Sequence, residues 1–134
     1  MRRQCGSIIV KDGNIIGRGH NSPPAHKEGQ RRCNVSKDIY SKKVTDKTCC
    51  IHAEQRAIID TLTNKENIEG SDLYFTSVDK KNIVYSENPY CTICSKLALD
   101  IGIKNFILWH KEGIRAYDAE EYNNLSFNYK ESIS

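Results

Sequence analysis

The chain has 134 residues, with 20 Lys and Arg against 17 Asp and Glu and a formal net charge of +3. That length supports a single core, so one domain over residues 1–134 is expected. No apolar run approaches the ~20 residues of a membrane span, and the apolar stretch after Met1-Arg2-Arg3 is too short for a secretion signal. A cytoplasmic protein is expected.

Gly6 to Lys11 reads as a short buried strand. Asp12-Gly13 is a hairpin signal, because both central positions of a type I′ turn need positive φ. Asn14 to Gly19 is then the return strand. Gly17 and Gly19 mark either a strand end or a place where backbone approaches something closely.

Ser22 to Lys47 has no clean period and opens on Pro23-Pro24. Between His26 and Lys47 stand seven Lys or Arg against three acids, +4, so the positive charge of the chain is concentrated in this insert. Long loops of this kind are often lids or binding loops. A charge run is also the ordinary form of a solvated surface.

Thr48 to about Asn64 reads as a helix with Ala53, Ala57, Ile58 and Leu62 facing the sheet and Gln55 and Arg56 exposed or at a rim. Leu73 to Val78 is a strand, followed by a turn at residues 79–82 and a short return over Ile83 to Ser86. Cys91 to about Ile101 is a second helix, with Leu97, Ala98 and Ile101 as its core stripe and Gly102 as its stop signal. Asn105 to Trp109 is a buried strand, so a crossover between parallel strands is expected. His110, just past it, reads as a stray metal ligand or, as is more usual for a His just past a strand, an ordinary residue. Asp118 to Asn124 reads as a short helix with Asp118 as N-cap and Glu121 three residues on, and the tail, Leu125 to Ser134, holds Phe127 and Tyr129 for docking on the sheet or on a neighbour.

Two short pieces carry the chemistry: Cys50-Ile51-His52-Ala53-Glu54-Gln55-Arg56 and Pro89-Tyr90-Cys91-Thr92-Ile93-Cys94. One imidazole and two thiolates at CxxC spacing are three of the four ligands of a tetrahedral zinc, leaving one position for water. His52 and Glu54 are two apart and do not share a helix face. They converge only if the metal sits at a helix N-terminus, so His52 and Cys91 are each placed at a helix start, where the partial positive charge favours thiolate. His52, Cys91 and Cys94 are therefore the expected metal ligands and Glu54 the proton carrier. Four cysteines remain. Cys5 and Cys50 read as small buried hydrophobes, while Cys33 and Cys49, with His26, form a loose candidate for a second, structural metal site.

The order His52-Ala53-Glu54 and then Pro89-Tyr90-Cys91-Thr92-Ile93-Cys94 resembles the zinc-dependent nucleoside and nucleotide deaminases, whose signature is H-x-E…P-C-x-x-C. Gly17-Arg18-Gly19-His20-Asn21 and Gly70 to Thr76 look most like the deoxycytidylate deaminase branch, and the resemblance runs from about Cys5 to Trp109. It departs in the extra residue at Tyr90, in Arg56 where the branch usually has Asn, and in Ser22 where it usually has Gly. The resemblance implies an α/β, three-layer cytidine-deaminase-like fold. Its mixed sheet opens with an antiparallel hairpin, and its zinc site lies at two helix N-termini.

The resemblance also implies a zinc-dependent hydrolase acting on an amidine C–N bond. The favoured reaction is dCMP to dUMP with release of ammonia. Asn21 and the backbone N–H of Ala53 are then substrate contacts. A deaminase of another base, nucleoside or nucleic acid is the alternative; nucleic acid is not favoured, since no basic stripe is interleaved with aromatics. A non-catalytic structural zinc module is the other. Arg31, Arg32 and Arg56 are candidate phosphate ligands, because a guanidinium binds phosphate oxygens as a fork. The family usually has a helix before the hairpin, for which this chain has no room, so a homo-oligomer is expected to cover that face.

Overall fold

The computed structural model describes residues 3–130. Asp12 and Gly13 both take positive φ, 51° and 78°, and fold β1 (Gln4–Lys11) against β2 (Asn14–His20) as the antiparallel hairpin the dipeptide predicts. β3 (Asp72–Asp79) pairs antiparallel with the other edge of β1. β5 (Asn105–His110) pairs parallel with β3, and β6 (Gly113–Asp118) pairs antiparallel with β5. The strand order is β2-β1-β3-β5-β6. β4 (Asn82–Val84), the short return strand, pairs with β3 at Ser77 to Asp79, beyond the Asp72 to Phe75 stretch taken by β5.

Side chains alternate across a sheet, and one row shows where the core lies. Ile9 pairs with Leu73, Leu73 with Phe106, and Phe106 with Tyr117; all four are fully buried. Onto this row pack Ala57 and Ile58 of α1 (Ala53–Thr63), Cys94 and Ala98 of α2 (Thr92–Asp100) and Tyr122 of α3 (Ala119–Phe127). Tyr122 stacks on Phe106 with ring centroids 3.8 Å apart. All three helices thus cover one face of a mixed sheet. The other face, with Ile8, Tyr74, Trp109 and Ile114, carries no helix among the described residues, and Ile114 is 69% exposed. Two of the expected three layers come from the described chain.

Several element boundaries differ from expectation, each for a local reason. α1 starts at Ala53, not Thr48, because Ile51 donates its N–H to the Ser22 carbonyl (2.8 Å) in a β-bridge that needs extended backbone. Leu62 is exposed and Thr61 takes its place inside. Ala53, Ala57 and Thr61 form the i, i+4 row on β2, and the Thr61 hydroxyl is satisfied by the Ala57 carbonyl at 2.8 Å. Gly17 and Gly19 are what allow that row to sit so close. A Cβ on Gly17 would fall 2.6 Å from the Ala57 carbonyl oxygen, and one on Gly19 2.5 Å from the Ala57 nitrogen. The close approach read from the glycines is real, and it is to a helix.

β6 was not anticipated, because only Tyr117 of its alternating residues is buried. α3 starts after Asp118, which accepts from the Glu120 N–H, and runs to Phe127, which is exposed. Tyr129 lies against Tyr90, and residues 131–134 of the expected docking tail fall outside the described residues. The insert forms three short 3-10 turns, Pro24–His26, Glu28–Gln30 and Lys37–Ile39, none with a buried residue.

Candidate metal centre and active-site cleft

His52 is the N-cap of α1 and Cys91 the N-cap of α2, both with extended backbone. The His52 N–H donates to Gln55 Oε1 at 3.0 Å, half of a capping box that fixes the entry of the chain into α1. Gln55 therefore caps the helix and is not merely exposed. Cys94 lies one turn into α2, on the Cys91 side. His52 Nδ1 is 3.5 Å from Cys91 Sγ and 3.3 Å from Cys94 Sγ, and the three donor atoms lie within 4.8 Å of one another. With Zn–S of about 2.3 Å and Zn–N of about 2.0–2.1 Å, a tetrahedral site has S···N edges of roughly 3.5 Å. The donor set fits zinc in identity and spacing.

The electrostatics agree with a shared site. Cys91 is held far below the ordinary thiol value, at about 4, first by accepting the Cys94 S–H and then by His52. The Cys94 thiol is pushed up by that same hydrogen bond and by burial. His52 is raised, chiefly by its contact with Cys91. Glu54, 6% exposed at the second position of α1, has its carboxyl raised by burial. A carboxyl moved upward in a dry site is suited to both accept and return a proton.

Glu54 and Cys91 line a cleft of about 140 Å³ with Arg3, Ser77, Tyr85 and Asn88. One wall is the segment from Tyr85 to Tyr90, of which only Pro89 and Tyr90 were expected beside the site. It is held by His110, whose Nδ1 lies 2.9 Å from the Ser86 carbonyl and whose Nε2 lies 2.7 Å from Tyr117 Oη. Tyr85 packs edge-on against Trp109. His110 is thus a brace of the cleft wall and not a metal ligand; a polar residue following a buried strand, beside the extra hairpin, was the signal available for it.

Of the expected substrate contacts, Ala53 is buried at the first position of α1, with its N–H at the helix N-terminus beside His52. Asn21 is engaged elsewhere: its Oδ1 accepts from the Cys5 N–H (2.9 Å) and its Nδ2 donates to the Arg3 carbonyl (3.1 Å). It pins the start of β1, and with it Arg3, at the cleft. The three candidate phosphate arginines do not line the cleft. Arg31 pairs with Glu28, Arg32 stacks over Tyr40, and Arg56 Nη2 donates to the Pro23 carbonyl at 3.0 Å. The insert ends near the site, as expected, but its arginines work within it. The side chain that sequence reasoning missed is Arg3, whose placement depends on the Asn21 contact from 18 residues away.

The fold and donor set define an α/β domain with a zinc-type centre at two helix N-termini. Residues 1–110 match the family model described as the cytidine and deoxycytidylate deaminase zinc-binding region, and the chain belongs to that family. Among solved structures it is similar to the dCMP deaminase of cyanophage S-TIM5 in complex with dCMP and dUMP, with 28% identity and a TM-score of 0.50; the match covers 76% of this chain and 62% of that one. The chain thus spans less than two thirds of that enzyme's length. It is also similar in fold to the cytidine deaminase of Burkholderia pseudomallei (16% identity, TM-score 0.56, covering 90% of this chain and 79% of that one). No curated protein matches the chain. No helix among the described residues is long and apolar enough to cross a membrane.

Proposed function

We propose that the chain is a zinc-dependent hydrolytic deaminase of a cytosine-type nucleotide, with dCMP to dUMP and ammonia as the favoured reaction. The observation that carries this reading is a buried carboxylate, Glu54, that lines a cleft together with Cys91, one member of a His-Cys-Cys donor set at two helix N-termini. A purely structural zinc centre has no use for a raised carboxyl beside it.

His52, Cys91 and Cys94 would hold the zinc, which when bound would supply an activated water at neutral pH. Glu54 takes the proton of the attacking water and delivers it to the ring nitrogen of the base. It then takes the second proton of that water, now the hydroxyl on the amine-bearing carbon, to the exocyclic amine; the C–N bond breaks, ammonia leaves and the carbon keeps the oxygen as a carbonyl. The Ala53 N–H, with the partial charge of the α1 N-terminus behind it, holds a ring carbonyl oxygen. Burial of Glu54 keeps bulk water from competing for its proton.

The nucleotide reading rests on the likeness to an enzyme described in complex with dCMP and dUMP and on Arg3 in the cleft lining. A guanidinium there is suited to a phosphate, and the Asn21 amide fixes the backbone that bears it. The uncovered sheet face with Tyr74, Trp109 and Ile114 supports a homo-oligomer; light scattering at micromolar protein giving a monomer contradicts that.

The test is ammonia release over a panel of cytosine, deoxycytidine, dCMP, adenosine and a single-stranded oligonucleotide. dCMP is expected to give the highest kcat/KM. Preference for the oligonucleotide or for adenosine overturns the substrate assignment, and no release from any of them overturns the activity.

A further inference from the structure

Outside the cleft, the sulfurs of Cys33, Cys49 and Cys50 lie within 4.8 Å of one another. His26, expected beside them, instead bonds Ser22 Oγ through Nδ1 and stacks on His20. Three thiols with no fourth protein donor grouped among the described residues do not close a structural metal site. A polar group without a task lies inside the cleft.

Tyr122 of α3 lines the cleft with Glu54 and Cys91 and is 4% exposed. Its ring is fixed by Phe106, stacked at 3.8 Å, and by Tyr117, edge-on at 5.9 Å. The next residue, Asn123, accepts from the Ser95 hydroxyl at 2.9 Å and so ties α3 to α2 one residue beyond Cys94. With the ring held in this way, what Tyr122 offers the cleft is its hydroxyl. That hydroxyl makes no hydrogen bond to any described residue, unlike Tyr117 Oη, which His110 Nε2 engages at 2.7 Å. Burial raises its pKa, and so do the charges of Glu54, Cys91 and Cys94, which are close enough to be felt. Buried polar groups are almost always paired, so the partner of this one comes from what fills the cleft. Ser77, the other uncharged polar residue buried in the lining, already donates to the Val84 carbonyl at 3.3 Å.

We propose, on the strength of the deaminase reading above, that the Tyr122 hydroxyl accepts a hydrogen bond from the exocyclic amine of the substrate base and so selects a base that carries one. The reacting carbon has to lie within reach of both the metal position and Glu54. Tyr122 stands beside both, and the amine is one bond from that carbon. Glu54 is committed to proton transfer, so a second group has to hold the amine. A phenol is neutral at pH 7, accepts from the N–H without taking its proton, and can turn to donate to the carbonyl oxygen of the product. Tyr122 itself moves no proton. It lies beyond residue 110, where the family match ends, so the motif does not reveal it.

The test pairs a variant with a substrate analogue. Tyr122→Phe keeps the ring and its two aromatic contacts and removes only the hydroxyl, so zinc content and melting temperature should match wild type. Its kcat/KM for dCMP should fall by about 2–10-fold, the scale of one neutral hydrogen bond. Inhibition by the 2-pyrimidinone deoxynucleotide, which has hydrogen where dCMP has its amine, should be unchanged. A wild-type kcat/KM in the folded, zinc-loaded variant overturns the proposal. So does an equal loss for substrate and inhibitor, which marks a residue that only shapes the cleft. Should the variant fail to fold, a crystal structure of Glu54→Gln with bound dCMP decides. The amine nitrogen should lie about 2.7–3.2 Å from Tyr122 Oη, and a separation beyond about 4 Å, no longer a hydrogen bond, overturns the contact. Failure of the deaminase reading looks different: wild type then releases no ammonia from any aminated base, and both fall together.

Discussion

The His52 group and the Cys33 group each bring three metal-binding side chains within 4.8 Å of one another, yet their surroundings have little in common. The first stands on two helix N-caps packed over a fully buried row of the sheet, beside a buried carboxyl and a cleft. The second stands on a loop with no buried residue and no grouped carboxylate. Donor spacing alone would treat them as equals. What separates a reaction centre from a cluster of thiols is the neighbourhood: a proton carrier, an enclosed space for substrate, and a frame stiff enough to hold both.

The largest expected effect breaks the first group outright. Cys91→Ala with Cys94→Ala should lose all measurable ammonia release and the zinc of the cleft. Glu54→Gln comes next: it should keep the zinc and lower kcat by about 10²–10⁴-fold, the usual scale for a general acid–base group. Loss of a metal ion instead would make Glu54 a ligand.

Gly19→Ala tests the frame. The added methyl has Ala57 nitrogen 2.5 Å away, so α1 must shift, and overpacking of this kind costs about 1–3 kcal/mol. A lowered melting temperature with a reduced kcat is expected; a wild-type melt would mean that the helix is free to move.

Arg3→Ala should lower kcat/KM for dCMP by roughly one to two decades, the scale of a charge-assisted hydrogen bond, and leave deoxycytidine unchanged. Equal losses on both substrates would remove the phosphate role. Arg31→Ala with Arg32→Ala should be the mildest toward substrate, shifting the dCMP-to-deoxycytidine ratio by less than about a charge-assisted hydrogen bond's worth, since neither side chain lines the cleft. A collapse of that ratio would return the phosphate to the insert.

Much of this was legible in the chain before any coordinates. Asp12-Gly13 specifies its turn locally, and His-x-Glu with Cys-x-x-Cys dictates its own geometry, because ligands at those spacings converge only at helix N-termini. What could not be read depends on contacts far apart in sequence. Asn21 reads as a substrate contact until the carbonyl of Arg3 is seen within its reach. Cys50 reads as filler until Cys33, 17 positions away in the chain, is folded onto it. Arg31 and Arg32 are a different case: their partners, Glu28 and Tyr40, are near in sequence, and a net-charge count does not say which residues pair. Leu62 and Thr61 exchange places because hydropathy favours leucine, whereas the helix phase set by the two glycines favours the hydroxyl.

Those glycines also bear on how the molecule tolerates change. In a deep mutational scan scored on turnover, the sensitive positions would not form a single patch around the cleft. Gly17 and Gly19, which line no part of the cleft, would score alongside the metal ligands, because every side chain other than hydrogen pushes away the helix that carries His52 and Glu54. Positions of greater chemical interest but looser packing, Arg31 among them, would accept many substitutions.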